Sequence, residues 1–121
     1  LITIFTNCSK KLDSISINDN PYDAAYVGPL VVSMSTISTD TVSYPTMRNK
    51  ITVSKTINNH DGIRLYRNGI LINTRSVSSP DFPNISDNSA TAFVTYTYQL
   101  RLFLGSGETE SADFSYTTPP W

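Results

Sequence analysis

The chain has 121 residues, a formal net charge of −1 and a pI near 5.6, so its length suits one hydrophobic core and its charge gives a polyanion such as nucleic acid no long-range attraction. Hydrophobic residues make up 39% and charged residues 16%, while Ser, Thr and Asn fill roughly a third of all positions, well above ordinary globular usage. Good helix formers are scarce, Glu108 and Glu110 being the sole glutamates, and no apolar run is long enough to cross a bilayer as a helix.

Residues 1–27 read as an arm. Leu1-Ile2-Thr3-Ile4-Phe5-Thr6 and Leu12 to Ile17 suit extended backbone, Asn18-Asp19-Asn20-Pro21 breaks the pattern, and Tyr22 to Tyr26 has no clear period. Such a segment either adds one or two strands to its own domain or docks on a neighbouring molecule through Leu1, Ile2, Ile4 and Phe5. Cys8 is the single cysteine, so it makes no internal disulfide; it serves as a small half-buried hydrophobe or as an intermolecular bridge. A start at Leu1 without methionine is expected of a processed protein or an excised domain. The sequons at Asn7 and Asn84 matter only in a eukaryotic secretory route.

Residues 28–121 read as the body. After Gly28-Pro29, Leu30, Val32 and Met34 alternate with Val31, Ser33 and Ser35 as a first strand. Ile51, Val53 and Ile57 alternate with Thr52, Ser54 and Thr56 as a second, with Lys55 on its apolar face. The loop 58–62 leads to Ile63–Arg67 and Ile70–Arg75, which flank Asn68-Gly69, the dipeptide favoured by a two-residue type I′ hairpin turn. Residues 78–91 carry two prolines and many turn formers and read as a connection. From Ala92 to Leu104, Val94, Tyr96, Tyr98, Leu100, Leu102 and Leu104 share one face of a long strand at period 2. Gly105 to Gly107 turns the chain, and Ala112, Phe114 and Tyr116 alternate with polar residues until Pro119-Pro120. Repeated strands joined by turns predict an antiparallel β-sandwich, with Ile51, Val53, Leu65, Tyr96, Tyr98, Leu100, Leu102, Phe114 and Tyr116 in its core.

The segment Ile63-Arg64-Leu65-Tyr66-Arg67-Asn68-Gly69, then Tyr96-Thr97-Tyr98-Gln99-Leu100-Arg101-Leu102 with Gly107-Glu108-Thr109-Glu110-Ser111, and finally Phe114-Ser115-Tyr116-Thr117-Thr118-Pro119-Pro120 follow one another in order. Together they resemble the third strand, the sixth strand with its loop, and the last strand of a fibronectin type III or related immunoglobulin-like domain. The resemblance covers residues 28–120. It implies a tyrosine-corner role for Tyr96, its hydroxyl bonded back to the backbone and its ring in the core. Two positions depart from the family: Lys55 stands where such domains carry a core tryptophan, and Ser89-Ala90-Thr91-Ala92 replaces the usual Leu-x-Pro-x-Thr approach to the tyrosine. Such domains act as spacers, adhesive units or accessory modules on cell surfaces, in secreted enzymes and on phage virions.

Residue types that carry catalysis are sparse. His60, the single histidine, sits in a polar turn and reads as a loop decoration without an activating partner. The acidic residues are dispersed at strand ends and turns, without glycosidase spacing. Asn18-Asp19-Asn20 with Asp23, or Asp81 with Asp87 and Asn88, offers oxygen ligands for calcium but lacks the spaced loop with its glycine. One cysteine and one histidine leave zinc without a ligand set. In β-sandwiches of the kind this chain resembles, an inward lysine beside Asn or Asp can form an isopeptide crosslink, and Lys55 is the candidate; an intact mass lighter by ammonia or water would reveal it.

The expected function is therefore non-catalytic and free of cofactors. One possibility is a structural or assembly module, such as a virion decoration, tail or extracellular filament subunit, whose arm contacts copies of itself or other surface subunits. The other is a carbohydrate- or receptor-binding adhesive module in which Tyr22, Tyr26, Tyr44, Tyr66 or Trp121 stacks on a ligand. Both place the chain on a virion or cell surface, or outside the cell.

Overall fold

Asn68 and Gly69 take φ values of 52° and 83°, the left-handed pair that a type I′ turn requires. Around that turn β3 (Gly62–Arg67) and β4 (Ile70–Ser76) pair antiparallel from Arg67↔Ile70 to Gly62↔Ser76, with a bulge between Leu65 and Tyr66. The structure, a computed structural model, describes residues 19–77 and 83–121. Its regular elements there are all strands. Besides β3 and β4 they are β1 (Val32–Ser43), β2 (Thr46–Lys55), β5 (Asn84–Thr91), β6 (Thr95–Leu104), β7 (Gly107–Glu110) and β8 (Phe114–Thr117).

Two antiparallel sheets result, one ordered β1-β2-β5 and the other β4-β3-β6-β7, with β8 continuing along the same side of β6. They face each other as a β-sandwich. Ile51, Val53, Leu65, Tyr98, Leu100 and Leu102 are each 0% exposed between them, and full burial of such a side chain stabilises by about 1.5–3 kcal/mol. Tyr96, Val32, Ile63, Ile85 and Ala90 complete this core, while Phe114 and Tyr116 are only partly buried against it.

The long strand departs from the expected pattern at its ends, where Val94 and Leu104 are exposed instead of buried. Val94 precedes β6, and Leu104 pairs with Gly107, which offers no side chain to pack against. The strand after the Gly105 turn is split in two: Glu108-Thr109-Glu110, read from sequence as connection, forms β7. At the break, Ser111 keeps the ladder closed by accepting from the Leu100 N–H through its hydroxyl at 2.9 Å and donating its own N–H to the Leu100 carbonyl at 2.8 Å.

Two further corrections concern the smaller sheet. β1 runs to Ser43, far beyond the short strand expected, and begins after Leu30, which is exposed. β5 occupies much of what read as a connection, with Ile85, Asp87 and Ala90 buried. Its free edge is closed by side chains from β4: Asn73 Nδ2 donates to the Ser86 carbonyl and Arg75 Nη1 to the Asn84 carbonyl, both at 2.8 Å. Such capping blunts an edge that could otherwise recruit a strand.

Within residues 1–27, the described part lies against the sandwich. Tyr22 packs on the core and donates its hydroxyl to the Asn59 carbonyl at 2.7 Å. A Cβ on Gly107 would come within 2.9 Å of the Tyr22 Cβ, so glycine is what lets the segment approach. Leu1, Ile2, Ile4, Phe5 and Cys8 lie outside the described residues.

Candidate functional site

One end of the sandwich gathers large apolar side chains into solvent. The Thr46↔Thr91 pairing sets the β1–β2 turn beside the β5–β6 connection. The C-terminal segment is stitched to that connection by Phe93 N–H to the Thr118 carbonyl at 2.8 Å and Thr118 N–H to the Val94 carbonyl at 2.9 Å. Thr118 is itself fully buried, its Oγ1 accepting from Asn49 Nδ2 at 3.0 Å. From this frame project Tyr44 at 74% exposure, Phe93 at 72% and Trp121 at 51%, with Val42 and Val94 also exposed.

Tyr44 and Trp121 meet edge to face, their ring centroids 5.2 Å apart and their planes at 90°, the T-shaped geometry favoured by the aromatic quadrupole. Phe93 takes φ +67°, a left-handed backbone costing roughly 1–3 kcal/mol for a bulky residue. The two backbone bonds around Thr118 hold it there. Strain of this kind concentrates at functional positions, and clustered exposed aromatics mark contact sites.

The other sequence-selected tyrosines are not brought here. Tyr26 donates its hydroxyl to the Pro29 carbonyl at 2.6 Å. Burial pushes the Tyr22 hydroxyl up to about 12, and the negative charge of Asp61 adds to the shift. Tyr66 lies on the outer face of the larger sheet with the Arg101 guanidinium 4.0 Å over its ring, and Arg64 likewise covers Phe103 at 4.1 Å. Glu108 links these two arginines, bonding Arg64 and, at 3.0 Å, Arg101. Burial pushes its carboxyl up, but the bonds from Arg64 and Arg101 outweigh burial and hold it below the usual range. The Tyr66 and Phe103 rings are thus covered by guanidinium groups, whereas Tyr44, Phe93 and Trp121 are largely exposed to solvent. Sequence reasoning found Tyr44 and Trp121 but missed Phe93; its available signal was a large aromatic on the solvent-facing phase of the alternation that buries Tyr96, Tyr98 and Leu100.

A buried polar cluster lies inside the same half of the molecule. Asp87 is 1% exposed and accepts from Arg67 Nη1 at 3.0 Å, from the Tyr98 hydroxyl at 2.6 Å and from the Ser89 N–H at 3.0 Å. Asn49 donates to Tyr98 Oη at 2.9 Å and accepts from Thr39 Oγ1 at 2.7 Å. Burial pushes the Tyr98 hydroxyl well above its ordinary value. Every oxygen and amide in this cluster has a protein partner, so its chemistry is cohesion between sheets.

Of the residues considered for catalysis or metal binding, His60 is the one placed differently from expectation, whereas Asn20 and Asp23 form plain turns as expected. His60 is 5% exposed and not a solvent-facing loop decoration; the loop folds inward because Asp61 donates its N–H to the Phe103 carbonyl at 2.7 Å and accepts from the Gly105 N–H at 2.8 Å. Asp23 Oδ1 and Asn20 Oδ1 accept from backbone N–H groups two residues on, as turn residues do. Asn18 and Asp81 lie outside the described residues. Among the described residues no group of three or more His, Cys, Asp and Glu side chains converges, and no helix is long and apolar enough to cross a membrane. Lys55 sits at the end of β2, its Nζ donating to Asn58 Oδ1 at 3.3 Å in an exposed position.

Comparison with protein-family models, with curated proteins and with solved structures found no match to this chain.

Proposed function

We propose that this chain is a non-catalytic, surface-located assembly module of the fibronectin type III or immunoglobulin-like kind, which joins copies of itself through its apolar end. The observation that carries this reading is the solvent exposure of Tyr44, Phe93 and Trp121 together with Val42 and Val94 on one end of the sandwich. Three of these five side chains have no hydrogen-bonding group at all, which suits a desolvated protein contact with aromatic anchors. The family assignment is supported by two features. The strand order β1-β2-β5 against β4-β3-β6-β7 puts the third and sixth strands side by side, and Tyr96 Oη accepts from the Thr91 N–H at 2.9 Å, as the tyrosine-corner resemblance implies. The apolar residues Leu1, Ile2, Ile4 and Phe5 form a second contact element in this proposal.

The test is the particle mass in solution. Wild type should grow beyond a monomer as concentration rises, and Tyr44→Ser with Phe93→Ser should return it to a folded monomer; deletion of residues 1–12 should weaken assembly without unfolding the sandwich. A wild-type monomer at every concentration would remove the reading. A second reading, stacking on a saccharide or receptor, rests on the right-angled Tyr44–Trp121 pair, whose exposed rings form a corner. Binding on a glycan array that Trp121→Ala abolishes would favour it.

A further inference from the structure

We propose that a groove on the outer face of the smaller sheet, lined by side chains other than those of the aromatic end, binds an acidic oligosaccharide. The groove has a volume of about 450 Å³ and lies where the outer face of β1, β2 and β5 meets β4. Three cations line it, Arg48, Lys50 and Arg75, against the single carboxylate of Asp40. A third of the chain's nine Lys and Arg residues therefore converge there, in a protein whose net charge is −1.

The cations are held in different ways. Asp40 clamps Arg48 through Nε at 2.9 Å and Nη2 at 3.1 Å, which fixes the guanidinium and leaves its remaining N–H donors to the groove. Arg75 spends Nη1 on the Asn84 carbonyl, so capping the β5 edge also positions this side chain. Lys50 is exposed and, among the described residues, has no carboxylate within ion-pair distance. Its charge acts on the Asp40 carboxylate through space, adding to the effect of Arg48, while its ammonium keeps its hydrogen-bond donors for a ligand.

The rest of the lining supplies neutral hydrogen-bonding groups, chiefly Asn84, Ser86 and Asn88 on β5. Amides and hydroxyls that both donate and accept match sugar hydroxyls, and Lys50 with Arg75 matches a uronate carboxylate or a sulfate. No aromatic ring lines the groove, so a nucleobase would find no stacking platform there. The shape and chemistry fit a short acidic glycan segment lying across the strands.

The experiment titrates the whole chain with oligogalacturonate and with a heparin fragment, reading amide shifts and affinity by NMR. Neutral cello-oligosaccharide, inorganic phosphate and a poly-glutamate peptide serve as comparisons. The proposal expects shifts clustered on Lys50, Arg75 and Ser86, saturable binding by an acidic saccharide, and weaker binding by all three comparisons. Lys50→Gln should weaken the affinity at least about threefold. Ser106→Glu, outside the groove, makes the same change in net charge and should leave affinity unchanged. Absence of shifts at millimolar saccharide, equal loss in both variants, or equal binding of phosphate or peptide would overturn it. Because Tyr44 and Phe93 are untouched, failure here leaves the assembly reading standing, and the reverse holds too.

Discussion

The hydroxyl of Tyr98 on β6 donates a 2.6 Å hydrogen bond to the carboxylate of Asp87 on β5, so the two sheets are joined by a buried polar contact beside the apolar core. Asp87 also meets the Arg67 guanidinium from β3, while Asn49 from β2 bonds Tyr98 from the other side. In a low-dielectric interior such a network holds only if every member is satisfied. It fixes the lateral register of the sheets more tightly than apolar packing alone.

Removing one partner should therefore cost more than one ordinary hydrogen bond. Tyr98→Phe leaves Asp87 and Asn49 each short of a partner and is expected to destabilise by about 1–3 kcal/mol. Asp87→Ala strips Arg67 of its counter-charge and should cost about 3–5 kcal/mol. Urea unfolding measures both; a loss under about 0.5 kcal/mol for each would mean that the cluster is not closed.

Burial along β6 gives a graded series. Leu100→Ala, at a fully buried position, should cost about 2–5 kcal/mol. Val94→Ala and Leu104→Ala, at the exposed ends, should each cost less than about 1 kcal/mol. Equal losses at all three positions would contradict the burial pattern.

Ionisation should reveal the environments of Glu108 and Tyr22. The Glu108 carboxyl titrates below 4.5 when folded. A depressed carboxyl contributes stability that is complete above its unfolded pKa and is lost as pH falls through the folded value. Thermal stability should thus decline below pH 4.5, and Glu108→Gln should flatten that decline. Tyr22 is displaced the opposite way, from 10.0 to about 12, so its contribution is complete below pH 10 and lost as pH rises towards 12. Followed by phenolate absorbance, Tyr22→Phe should remove one ionisation step near pH 12.

Much of the larger sheet was legible because its signals are local. Asn68-Gly69 names its own turn, and Tyr96, Tyr98, Leu100 and Leu102 alternate without interruption. The smaller sheet was harder to read. β1 continues through Ser35–Ser43 as a strand with one exposed edge and few buried side chains, so Ser and Thr alternate with little hydrophobic contrast. β5 hides its period because Asp87 occupies an inward position where a strand pattern expects an apolar residue; only Tyr98, Arg67 and Ser89, distant or non-apolar in sequence, make that carboxylate tolerable. The aromatic end escaped for a related reason. Tyr44, Phe93 and Trp121 are far apart in the chain and converge only through the Thr46↔Thr91 pairing and the bonds at Thr118.

Phe93 separates stability from function. Phe93→Gly relieves the positive φ, offset by glycine's greater chain entropy, so the variant should be between unchanged and about 1 kcal/mol more stable. The same change deletes an exposed anchor ring and should weaken assembly. A variant that loses both stability and assembly would place Phe93 in the fold and not in the contact.

Light scattering across a concentration series, comparing wild type with Tyr44→Ser/Phe93→Ser, tests the assembly reading most directly. The account predicts a mass above one subunit for wild type, rising with concentration, and a folded monomer for the variant. Identical masses for the two proteins, whether monomeric or assembled, would contradict it.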